Sequence, residues 1–84
     1  MMVLILKKLN PRQIVVRQDD KFYLVSESSE HIQPVETMIF ECDEAGRVEN
    51  WNEVGGAVGY SLESLMPMIM EHGVHYKDWD DFPW

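Results

Sequence analysis

Two apolar runs separated by a polar tip constrain this chain more than any other feature. Ile14-Val15-Val16-Arg17 and Phe22-Tyr23-Leu24-Val25 flank Gln18-Asp19-Asp20-Lys21. β-Branched and aromatic residues suit a pleated surface, and aspartates favour turns through local backbone hydrogen bonds. The pattern predicts a β-hairpin. At 84 residues the chain is one domain, and one sheet covered by one helix is about as much core as it can build.

The flanking segments extend the sheet. Val3-Leu4-Ile5-Leu6 is continuous and apolar, which predicts a buried first strand, central or covered on both faces. It is far short of the roughly 20 residues needed to span a bilayer, and it lacks the flanks of a secretory signal. Asn10-Pro11 marks a turn, because Pro fixes φ and has no N–H. Residues 26–34 are polar and read as a loop. Thr37-Met38-Ile39-Phe40 is a fourth strand, closed by the turn Asp43-Glu44-Ala45-Gly46. Residues 47–54 alternate weakly around Val48 and Trp51, as a fifth, edge-like strand would. Gly55-Gly56-Ala57-Val58-Gly59 has little side chain to pack and reads as a flexible connection.

A helix follows. Ser61 is placed as its N-cap, Glu63 favours the dipole, and Gly73 ends it. Leu62, Leu65, Met66, Ile69 and Met70 share one apolar face, and Met68 falls off it. Pro67 leaves two readings open. A helix from Ser61 carries it past the first turn and loses a hydrogen bond there; one from nearer Ser64 keeps it in the first turn. The expected architecture is α+β, an antiparallel sheet of four or five strands with one C-terminal helix packed on it. The domain occupies residues 1–74, and residues 75–84 form an acidic-aromatic tail.

Charge narrows the partners. The formal net charge is −8. Residues 1–30 carry five basic and four acidic side chains, whereas in residues 31–84 only Arg47 and Lys77 oppose eleven acids. A nucleic-acid backbone or an anionic membrane surface would repel such a chain, and a basic protein surface would attract it. A homodimer is compatible with a small core and open sheet edges. Cys42 is the only cysteine, which excludes an internal disulfide and suits a reducing cytoplasm.

No residue cluster spells out catalysis, and neither a metal nor a cofactor is expected. Asp19-Asp20 and Asp43-Glu44 sit in turns, where aspartates serve the backbone; neither they nor Asp80-Asp81 have the ligand spacing of a calcium loop. His72, His75 and Cys42 lack a fourth ligand, and Glu71 precedes His72 rather than following a metalloprotease order. The acids around Cys42 raise a thiol pKa rather than activate it. The glycine run at 55–59 has no Lys after it where a phosphate loop needs one. Met66, Met68 and Met70 read as core, with Met68 the member able to serve a surface.

The last stretch, Trp79, Asp80, Asp81, Phe82, Pro83 and Trp84, is the candidate binding element. It can fold back over an open sheet face, burying its aromatics, or it can dock a partner. Asp80-Asp81-Phe82-Pro83-Trp84 resembles the C-terminal tip of bacterial single-stranded DNA-binding proteins, Asp-Asp-Ile-Pro-Phe. In that family the tip docks replication and repair proteins, with apolar residues in a hydrophobic pocket and basic side chains around the acids. The resemblance implies that Phe82 and Trp84 are anchors and that Asp80 and Asp81 meet basic residues. It does not extend to DNA binding, because residues 1–70 offer no basic, aromatic-studded groove. A second resemblance, carried by Glu36-Thr37-Met38-Ile39-Phe40, Asp43, Gly46-Arg47-Val48, Trp51 and Tyr60-Ser61, is to small uncharacterised bacteriophage proteins. It implies a bacterial setting rather than an activity. The expected function is therefore a non-enzymatic accessory or inhibitor protein that binds another protein. One alternative is a nucleic-acid mimic, with acids such as Glu49 and Glu53 imitating strand-spaced phosphates. A small hydrolase is the other.

Overall fold

A computed structural model describes residues 2–78. Five strands, β1 (Val3–Asn10), β2 (Gln13–Gln18), β3 (Lys21–Glu27), β4 (Glu36–Cys42) and β5 (Glu53–Val58), precede one helix, α1 (Leu62–His72). The strands form one antiparallel sheet in the order β1-β2-β3-β4-β5, the α+β architecture expected. Each strand pairs with its neighbour in sequence. The central hairpin is in register from Gln13↔Ser26 to Gln18↔Lys21, and Asp19 takes the positive φ of 57° that its tight turn needs.

Helix α1 covers one face. Val3, Val16, Tyr23, Val25, Ile39 and Ala57 of the sheet meet Leu62, Leu65, Met66 and Ile69 of the helix. Each fully buried aliphatic side chain in such a layer stabilises by about 1.5–3 kcal/mol. The opposite face carries Val15, Leu24 and Phe40 side by side. The segment between β4 and β5 lies over it: a Cβ at Gly46 would meet Leu9 Cδ1 at 2.8 Å and Val15 Cγ2 at 3.0 Å. Trp51 meets Phe40 edge-on, with ring centroids 4.9 Å apart.

Three long-range hydrogen bonds fix the helix and its flanks. The Glu27 carboxylate accepts from the Leu62 N–H at 2.7 Å, beside the Ser61 cap, whose Oγ accepts from Ser64 N at 3.1 Å. Thr37 Oγ1 donates to the Tyr60 carbonyl at 2.8 Å, and buried Gln18 accepts from Val74 N at 2.9 Å. The helix thus starts directly after Ser61, and Pro67 lies inside it on the exposed side. There its missing N–H leaves the Glu63 carbonyl without a helical donor, the first of the two readings. Gly73 closes the helix at φ 93°, its N–H donating to Ile69 O.

Four expectations are corrected. Val3-Leu4-Ile5-Leu6 is not a buried strand: β1 is the sheet edge, and only Val3 is buried. A continuous apolar run is buried only where other layers cover both faces of its strand, and a meander leaves its first strand at the margin of that cover. The fifth strand begins at Glu53 rather than Arg47, so the glycine run is strand and not connection. The reason is a close crossing. A Cβ on Gly55 would be driven into the Val74 carbonyl oxygen and would lie 2.9 Å from that of Tyr76. Only glycine lets residues 74–78 pass there, and they then pair with Gly56. Lastly, Met70 is exposed and Met68 packs against the core, the reverse of their expected places. Met70 faces the β1–β2 margin, where the sheet ends.

Candidate functional site

The six residues singled out for binding, Trp79, Asp80, Asp81, Phe82, Pro83 and Trp84, lie outside the described residues. The chain leading to them is fixed. Gly56 N donates to Tyr76 O at 2.7 Å and Asp78 N to Gly56 O at 3.3 Å, a parallel bridge that lays Lys77 along the outer edge of β5. Two rings brace this strap: His75 meets Tyr23 edge-on at 6.0 Å, and His72 stacks on Tyr76 at 5.4 Å. The two histidines are thus engaged by different tyrosines on different elements. Among the described residues no three His, Cys, Asp or Glu side chains are grouped to hold a metal ion.

The opposite edge is the surface that sequence reasoning missed. In β1, Leu4, Ile5, Leu6 and Leu9 are 45%, 54%, 41% and 41% exposed. Register shifts at Ile5/Lys7 and Lys8/Asn10 make Leu6 and Leu9 bulged residues on the outer strand. Among the described residues, no backbone hydrogen bond of Val3 to Leu9 goes anywhere but to β2. The outward N–H and C=O groups of this strand therefore have no partner among the described residues. Lys7 and Lys8 stand beside the apolar run, and among the described residues no ion pair engages either. Lys7-Lys8 directly after the apolar run was the legible signal, since lysines commonly guard sheet edges.

A groove of about 580 Å³ adjoins β1 where Lys8, Pro11 and Ile14 face Leu62, Met66, Pro67 and Met70 of the helix. Its floor is mostly apolar, and Glu27 and Glu63 lie at the helix N-terminal end. A second groove of the same size runs between the end of β4 and the segment over the sheet, lined by Glu41, Cys42, Asp43, Arg47 and Glu49. Asp43 organises that end as a turn. Its Oδ1 accepts from the Ala45 and Arg47 amides at 2.9 Å, and its Oδ2 from Arg47 Nε at 3.0 Å. The Arg47 amide, ahead of the guanidinium and the Ala45 amide, holds the Asp43 carboxyl below its ordinary range. Both oxygens serve the backbone and Arg47, which is a turn-building role.

Burial pushes the Cys42 thiol up to about 11, with Asp43 and Glu41 adding to it and Lys7 opposing. The direction matches the expectation from the flanking acids, but desolvation is the larger cause. A thiol so placed stays protonated at neutral pH and makes a poor nucleophile. The other turn pair, Asp19-Asp20, holds the tip of β2–β3, where Arg17 Nε donates to the Asp19 carbonyl at 2.9 Å. Glu49 lies before β5 while Glu53 begins it, so the two are not alternate residues of one strand. The phosphate-like spacing expected of them is lost with the strand boundary. Searches against protein-family models, curated proteins and solved structures each returned no match.

Proposed function

We propose that this chain is a non-enzymatic protein-binding module that docks a basic partner surface through Trp79 to Trp84. The observation that carries the reading is the strap. Residues 76–78 are hydrogen-bonded to the outer edge of β5, so Asp78, the last described residue, lies at a sheet margin rather than over the core. Both sheet faces already have cover from other segments, α1 on one side and residues 43–52 on the other. That weakens the case for the tail as a lid over an open face and favours the docking alternative. Phe82 and Trp84 are the aromatic anchors, and Asp80 and Asp81 set attraction and selectivity. The resemblance of residues 36–61 to small bacteriophage proteins supports a partner in a bacterial cytoplasm.

The test is a pull-down from bacterial lysate, comparing the full chain with a version ending at Asp81 and with Trp84→Ala. Proteins retained only by the full chain support the tail as the docking element. Retention by all three, with all three folded by circular dichroism, refutes it. A nucleic-acid mimic would instead lose its partner steeply with added salt in every version, because charge alone would hold it.

A further inference from the structure

We propose that the β1 edge is a strand-docking site for an extended acidic-apolar segment of another protein, which would add a sixth strand to the sheet. The edge has what strand addition requires: one free side, with backbone groups turned away from β2 that bond to nothing else among the described residues. It also shows exposed apolar side chains, Ile5 most of all at 54%. Charge then selects the occupant. This acidic chain has no acid before Asp19, so β1 itself carries only basic charge, with Glu27 and Glu63 at the helix N-terminal end of the adjoining groove, and among the described residues Lys7 and Lys8 have no ion-pair partner.

A second copy fits this edge poorly. Pairing β1 with another β1 brings two Lys7-Lys8 pairs into one ladder, and the two bulges break the outer register that a symmetric pairing would use. Each copy also carries a net charge of −8. The strap of residues 76–78 lies on β5, four strand spacings or roughly 19 Å from β1 across the sheet. An acidic strand from another protein removes the charge conflict instead. It would pair along Val3 to Ile5, the regular part of β1, and bring carboxylates to Lys7 and Lys8 where the strand bends. Next to Lys8, the groove floored by Ile14, Met66 and Met70 offers room for one apolar side chain of the guest.

The experiment titrates the full chain against fluorescein-labelled eight-residue peptides, read by anisotropy and by amide shifts in ¹H–¹⁵N spectra. The probe alternates Glu and Val. One control alternates Lys and Val, and another is the Glu-Val probe N-methylated at every second residue. The expected result is saturable binding of the acidic probe, with shifts concentrated on Val3 to Leu9. Lys7→Glu with Lys8→Glu, both exposed positions, should weaken binding at least tenfold with an unchanged circular dichroism melt. N-methylation should abolish binding while leaving every charge in place, because it removes ladder donors. Equal binding of the acidic and basic probes, no binding at millimolar peptide, or shifts confined to α1 or the 43–52 segment would each overturn the proposal. So would concentration-dependent β1 shifts in the protein alone, which would assign the edge to a second copy.

Discussion

Replacing Gly55 with Ala tests the close crossing at the C-terminal strap, and its size follows from the neighbours. The added Cβ meets backbone, the carbonyl oxygens of Val74 and Tyr76, so no rotamer change can relieve it. Residues 74–78 must move away from β5. That movement breaks the Gly56 N to Tyr76 O and Asp78 N to Gly56 O bonds and strains the Gln18 bond to Val74 N. Each hydrogen bond contributes about 0.5–1.5 kcal/mol net. Partial withdrawal of Val74, fully buried in the core, adds about 1–2 kcal/mol from a full-burial value of about 1.5–3. Ala restricts the unfolded chain and returns about 0.4–1 kcal/mol. The net loss is roughly 1–5 kcal/mol, a large part of the roughly 4–13 kcal/mol that a domain of this length has. Urea denaturation followed by circular dichroism measures it, and faster hydrogen exchange at the Gly56 amide localises it. Gly59→Ala is the contrast: its φ is +89° but nothing lies within 4 Å of the new Cβ, so only backbone strain of about 1–2 kcal/mol applies. A Gly55→Ala loss no greater than that of Gly59→Ala would refute the close-crossing account.

Three further outcomes are expected. Gln18→Ala should destabilise by about 1–3 kcal/mol, because it leaves the Val74 N–H without its acceptor in a buried site; chemical denaturation measures it, and a loss under 0.5 would contradict the pinning role. Glu27→Ala should cost about 1 kcal/mol and speed exchange of the Leu62 amide, since a carboxylate at a helix N-terminus both accepts its N–H and favours its dipole. Cys42, with its thiol raised to about 11, should react with iodoacetamide at pH 8 about a hundredfold more slowly than an ordinary thiol of pKa about 8.5, and the rate should climb as pH approaches 11. Unfolding in urea should restore ordinary reactivity; equal rates in both states would mean that burial does not protect it.

The sequence by itself determined the local pieces. β-Branched runs around Asp19-Asp20 specified a hairpin, Ser61 and Gly73 bracketed a helix, and Asp43 with Gly46 specified a turn, because each depends on neighbours a few residues away. Tertiary structure decided which strand lies at the edge, and so turned Val3-Leu4-Ile5-Leu6 from an expected core strand into an exposed surface. Hydrophobic content cannot report that, because burial depends on what the rest of the chain places alongside. The same holds at Gly55 and Gly56. Their lack of side chains looks like flexibility in one dimension, and becomes a requirement only when residues 74–78, nearly twenty positions later, cross over them. The Glu27 bond to Leu62 and the Gln18 bond to Val74 are hidden from the sequence for that reason: each joins groups that only the folded sheet and helix bring within 3 Å.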